Sequence, residues 1–137
     1  MVEQITSSVT AVLPYPPERV WAVVTDLDRW QWRRGLGNLE RTGENGFVEY
    51  DRRGFPTHFT VTDCRPPLFW AFDLENANLT GRWTGEFRQA EGGAQVTFTE
   101  YITPRKGWMR LFTRVYLRRQ QARYLADLRR ALDGGEA

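Results

Sequence analysis

WMRLFTRVYLRRQQARYLADLRRAL, residues 108–132, contains no glycine and no proline. Its apolar residues fall at helical spacing: Leu111, Phe112, Val115 and Tyr116, then Leu125, Leu128 and Leu132. Arg118, Arg119, Arg123 and Arg130 take most of the remaining positions. This pattern predicts one amphipathic helix of about 35–39 Å. Asp133-Gly134-Gly135 offers it a C-terminal cap. What this helix has to cover decides the fold.

Upstream, the period is two. Residues 3–13 alternate, with Ile5, Val9, Ala11 and Leu13 on one face, and predict a half-buried strand. Residues 38–103 predict six more, at roughly 38–43, 46–53, 57–65, 68–76, 79–89 and 94–103. Short links such as Gly43-Glu44-Asn45-Gly46, Gly54-Phe55-Pro56 and Glu91-Gly92-Gly93 make sequential strands antiparallel neighbours. Between the first two strands, Pro16-Pro17-Glu18-Arg19 opens a short helix over about 17–25, with Val20, Trp21 and Val24 as its stripe. Asp26 offers a cap for a second short helical turn through Trp30. The expected fold class is α+β: a seven-stranded curved antiparallel sheet wrapped around the long C-terminal helix, with two short helices between strands 1 and 2.

The 137 residues suit one domain with its own core. Six Trp, five Tyr and eight Phe either pack that core or line a cavity with part of their number. A single cysteine, Cys64, allows no internal disulfide. With no leader-like segment and no long apolar run, a cytoplasmic protein without stable membrane insertion is expected. The net charge of +2 hides an asymmetry, since residues 104–137 carry a net +6 and residues 1–103 a net −4. That basic end is read either as a solvated helix face or as a contact surface for a protein or a membrane. No nucleic-acid module accompanies it.

Two stretches, PPERVWAVVTDLDRW (16–30) and YLADLRRAL (124–132), together with the order of elements, resemble the START-like superfamily, also called SRPBCC or Bet v 1-like. Within it the chain is most similar to small bacterial proteins of the polyketide cyclase/dehydrase type. The resemblance spans essentially residues 1–137 as one ligand-binding domain. It implies a helix-grip fold with an apolar cavity between sheet and long helix, holding lipids, sterols, polyketides or aromatic compounds. The superfamily includes enzymes, carriers and regulators, so fold alone does not decide function.

Alternation sorts the candidate ligand-binding residues. Phe59, Trp70, Phe72, Trp83 and Phe98 are expected on the inner face. Gly81 and Gly85 leave space beside Trp83, for a bend of the sheet or for a ligand. Glu100 shares the apolar face of Val96, Phe98 and Ile102, so its charge needs a partner or a raised pKa. Arg52, on the face of Val48 and Tyr50, is one candidate partner; Tyr116 or an arginine of the long helix is another. Glu100 with Arg52 would orient a ligand, or Glu100 sits at a strand end and reaches water. Trp30 is expected to plug one end of the core near the cavity mouth, and Trp32 to gate it or lie against Arg33 or Arg34. His58 and Cys64 fall on the outer face and are too few for a metal site, so neither metal nor other cofactor is expected. The expected partner is a hydrophobic small molecule, bound by a monomer or homodimer. Three functions follow: a binder or carrier, a cyclase- or dehydrase-like enzyme in which Glu100 works with Tyr50 or Arg52 as acid and base, or a protein- or membrane-interaction module that uses the basic C-terminal helix.

Overall fold

The computed structural model describes residues 3–134. The chain runs β1 (Ile5–Leu13), α1 (Pro17–Thr25), β2 (Leu36–Arg41), β3 (Gly46–Asp51), β4 (Pro56–Arg65), β5 (Phe69–Glu75), β6 (Leu79–Ala90), β7 (Gly93–Pro104), a tight helical turn (Gly107–Met109) and α2 (Arg110–Asp133). The seven strands form one antiparallel sheet in the order β1-β7-β6-β5-β4-β3-β2. Each hairpin therefore joins neighbours, and only β1 crosses to the far edge, pairing with the last strand. This is the helix-grip α+β fold expected from the sequence.

The region after α1 departs from expectation. No second short helix forms; residues 26–35 are a series of turns. Asp26 caps a turn instead of a helix, its Oδ1 accepting the Asp28 N–H at 3.1 Å. A short acidic side chain that bonds its own downstream backbone competes with helix formation. Two further turns follow, with Arg33 N–H on the Trp30 carbonyl at 3.0 Å and Leu36 N–H on that of Arg33 at 3.2 Å.

Helix α2 also differs in how it is used. Its buried residues are Leu117, Gln121, Asp127, Leu128, Ala131 and Leu132. Leu111, Phe112, Val115 and Tyr116, expected on the same stripe as Leu125, Leu128 and Leu132, are exposed. Tyr116 and Leu125 lie nine residues apart, which is about two and a half turns, so the two groups occupy opposite faces. At the helix end, Gly134 N–H bonds the Arg130 carbonyl at 2.9 Å. Gly135 lies outside the described residues.

The core has two parts. Rings and aliphatic side chains of β3–β7 pack with α1 and the C-terminal half of α2. A smaller group, Ile5, Ile102 and Leu117, holds α2 near the opposite end. Gln121 joins them: its Oε1 accepts the Ser7 hydroxyl at 2.7 Å and its Nε2 donates to the Ser7 carbonyl at 2.9 Å. No helix among the described residues is long and apolar enough to cross a membrane.

Candidate functional site

In an antiparallel sheet, residues directly opposite share a face. The register aligns Val61, Phe72, Trp83, Glu100 and Ser7 in one row across β4, β5, β6, β7 and β1. Phe47, Phe59, Leu74, Gly81 and Ile102 form the next row. Rings from these rows and their neighbours make a continuous aromatic wall. Phe47 and Phe59 stack at 4.8 Å, Phe72 and Trp83 at 4.9 Å, and Trp83 and Phe98 at 5.2 Å. Trp70 meets Trp83 edge-on at 5.9 Å. Phe59, Trp70, Phe72 and Trp83 each keep 6–9% exposure, whereas Phe87 behind them has none. The room beside Gly85 is taken by the chain itself: a Cβ there would stand 2.5 Å from Trp83 Cη2. At Gly81 a Cβ would meet Ile102 Cδ1 at 2.6 Å.

A polar cluster borders this wall. Arg33, from the turns before β2, grips Glu49 of β3 with two prongs, Nη1 to Oε2 at 2.6 Å and Nη2 to Oε1 at 3.3 Å. Its guanidinium lies over the Tyr124 ring of α2 at 5.2 Å. Trp32 meets the same ring edge-on at 5.3 Å and is buried. The turns are fastened to α2 by Asp127, which accepts Arg34 N–H at 2.9 Å and Arg34 Nε at 2.5 Å. Arg130 adds a bond from Nη2 to the Trp32 carbonyl at 3.1 Å.

Glu100 stands apart. Among the described residues it makes no hydrogen bond and no ion pair. Burial pushes its carboxyl up to about 7; Arg33 opposes that shift and Glu49 adds to it. Burial works against the charge of Arg33, yet Glu49, Tyr124 and Glu100 together raise its pKa. Burial is also the main cause that raises Tyr124. At the rim, burial raises Tyr116, with Glu100 and Asp51 adding to the shift and Arg123 opposing it. Arg33, Glu49, Glu100 and Tyr124 thus form one electrostatic unit, with Tyr116 beside it.

Several sequence expectations find a different place here. The charge facing Glu100 is Arg33, not Arg52. On β3 the inner residues are Phe47 and Glu49, because Phe47 pairs with Phe59; Tyr50 therefore faces the other way. Arg52 follows the strand and donates Nε to the Arg34 carbonyl at 2.7 Å. Tyr50 and Arg52 border an open concavity of about 430 Å³ with Gly37, Asn38 and Glu40, apart from the aromatic wall. Trp30 is half-buried, and Trp32 is the ring that enters the core. Arg33 covers Tyr124 and not Trp32. His58 is exposed on the outer face, opposite Glu75. Cys64 is exposed too, but the irregularity between Val61 and Asp63 shifts the strand and sets it opposite Trp70, on the inner side and not the outer one expected. Glu49 was legible in principle, since β3 reads Phe47-x-Glu49 as well as Val48-x-Tyr50; the two phases carry similar apolar weight.

The profile of the family described as polyketide cyclase / dehydrase and lipid transport matches residues 4–133. The chain belongs to that family. As a member of the polyketide cyclase / dehydrase and lipid transport family, it shares its fold with many solved structures. A protein from Rhizobium leguminosarum superposes with TM-score 0.76 at 19% identity, covering 97% of each chain. One from Geobacillus kaustophilus gives 0.78 at 16%, covering 95% of this chain and 96% of the other. DynU16, from the dynemicin biosynthetic locus, gives 0.75 at 19%, covering 95% of this chain and 48% of that one. No curated protein matches the sequence. The polyketide cyclase / dehydrase assignment points to a fold for binding hydrophobic ligands.

Proposed function

We propose that the chain is one ligand-binding domain that takes up a hydrophobic small molecule carrying a carbonyl or hydroxyl group. It would carry or sequester that molecule in the cytoplasm, as a monomer or homodimer. The ligand lies against Phe59, Trp70, Phe72, Trp83 and Phe98, with its polar atom at Glu100 and Tyr116 at the rim. The observation that carries this reading is Glu100, a carboxyl beside Trp83 at the border of an aromatic wall, with Arg33 as the charge nearest it and no hydrogen bond or ion pair among the described residues. Apolar sites with a few convergent polar groups are the usual form of small-molecule pockets. The rings touch one another as they stand, so entry displaces some of them. The family description supports a polyketide or lipid as the substrate class.

The test is a titration with an aromatic ketone such as 2-acetylnaphthalene, followed by tryptophan quenching. Below about pH 7 a protonated Glu100 donates to the carbonyl, so affinity is expected to fall as pH rises through that value. Glu100→Gln, which keeps an N–H donor, is expected to bind with a flat pH profile. No saturable quenching at any pH would end the reading.

A second reading rests on the same carboxyl. A group that titrates near neutrality beside an arginine suits proton transfer. Glu100 would protonate a substrate carbonyl or remove a proton next to it, while Arg33 stabilises the developing charge, as cyclisation or dehydration requires. Turnover of a supplied poly-β-ketone by the wild type and not by Glu100→Gln supports it; equal turnover excludes Glu100 as the acid or base.

A further inference from the structure

The tight turn Gly107–Met109 and the N-terminal half of α2 present an apolar stripe that the sheet does not use. Trp108, Leu111, Phe112, Val115 and Tyr116 are 54–78% exposed. Their spacing by three and four places them together. The face they form is opposite the one that Leu117, Gln121 and Leu128 bury. Five large apolar side chains in one exposed group are more than scattered surface residues and mark an interaction site.

The charge around the stripe selects the partner. From Arg105 through Ala126 the chain has seven basic residues and no acidic one. Arg110 pairs with Glu3 at 3.4 Å and Arg105 with Glu75 at 3.5 Å. Lys106, Arg114, Arg118, Arg119 and Arg123 make no ion pair among the described residues, and all are exposed. A second copy of the chain seated on this face would bring two such basic sets together, and like charges oppose that pairing. An anionic lipid surface meets both features, taking rings and aliphatic chains into the headgroup boundary and pairing arginines with phosphates.

We propose that the N-terminal half of α2 docks on an anionic membrane surface. Trp108, Leu111, Phe112 and Val115 enter the boundary. Arg114, Arg118 and Arg119 hold the headgroups. This is interfacial attachment, not spanning. It does not depend on what the aromatic wall binds, although Tyr116, itself part of the stripe, feels the charge of Glu100, so docking would set the rim of that wall at the lipid.

Co-sedimentation tests this, with vesicles of phosphatidylcholine alone and with roughly a third phosphatidylglycerol. At ~0.1 M salt the protein is expected to partition about tenfold more strongly onto the anionic vesicles, and to lose most of that preference at ~0.5 M. Tryptophan emission should shift to the blue on binding, less so in Trp108→Phe. The double variant Leu111→Glu, Phe112→Glu changes only exposed positions and should abolish binding with an unchanged circular dichroism spectrum. Neutralising Arg114, Arg118 and Arg119 to glutamine should remove the preference for anionic lipid. Partition equal on both vesicles, absent from both, or unaffected by the glutamates would overturn the proposal. So would a concentration-dependent dimer in sedimentation velocity that Phe112→Glu dissolves while lipid binding is absent.

Discussion

Glu100 has the clearest consequence for stability at the scale of one residue. Its folded-state pKa of about 7 lies above that of an ordinary carboxyl. Between the two values the unfolded chain ionises while the folded chain does not, so stability falls as pH rises through this window. Above it the full penalty applies, up to about 3 kcal/mol. Glu100→Gln is therefore expected to raise the melting temperature at pH 8 and leave it nearly unchanged at pH 4, as differential scanning calorimetry would show. Gly85 sets a second residue-scale constraint. Alanine there would meet the Trp83 ring at 2.5 Å, and that ring is held by Phe72, Trp70 and Phe98. Overpacking of this kind costs about 1–3 kcal/mol, measurable by urea unfolding with a change in tryptophan emission. Glu100 itself was readable from strand parity. Its facing charge was not, because Arg33 arrives from turns whose path no periodicity describes.

Asp127 ties two elements together, the turns of residues 26–35 and helix α2. It is 2% exposed and accepts two bonds from Arg34. Asp127→Ala leaves the part-buried Arg34 N–H without its acceptor and frees the turns that carry Trp32 and Arg33. A loss of about 2–3 kcal/mol is expected in denaturant unfolding. Arg34→Ala should cost less, because the Asp127 carboxylate keeps the backbone N–H of residue 34 and the Arg130 guanidinium at 3.5 Å. Within α2, backbone exchange should divide the helix. Residues 112–116 pack little, whereas residues 124–132 bury Asp127, Leu128, Ala131 and Leu132. Amide protons of the first group are expected to exchange at least about tenfold faster by hydrogen–deuterium mass spectrometry. The helix was visible in the sequence, and so was the half-turn between its two apolar groups, nine residues apart; which of the two meets the sheet was not, because the same spacing serves a buried stripe and an exposed one.

The whole molecule is closed by its most distant pairing. Residues 5–13 align with residues 94–102 along the full length of β1. Such long-range contacts slow folding. Stopped-flow refolding followed by tryptophan fluorescence is expected to give a main phase between milliseconds and seconds; a microsecond phase carrying the full amplitude would contradict this topology. At the turn into β7, Gly93 makes this closure possible. A side chain there would fall 2.0 Å from the Leu13 carbonyl oxygen, at a φ of +142°. Gly93→Ala combines a backbone clash with a strained φ and should cost more than Gly85→Ala.

Local order determined the elements. Strict alternation, turn residues every few positions and an uninterrupted arginine-rich helix were enough for seven strands, one long helix and the helix-grip arrangement, since one helix had to cover one sheet. They were also enough to set Phe59, Trp70, Phe72, Trp83, Phe98 and Glu100 on a shared face. Tertiary structure alone decided which phase of β3 turns inward, that Trp32 and not Trp30 enters the core, that Arg33 and Glu49 border Glu100, and which of the two apolar groups of α2 meets the sheet. These outcomes depend on contacts between segments far apart in the chain. Periodicity reports the presence of a face and is silent on what that face meets.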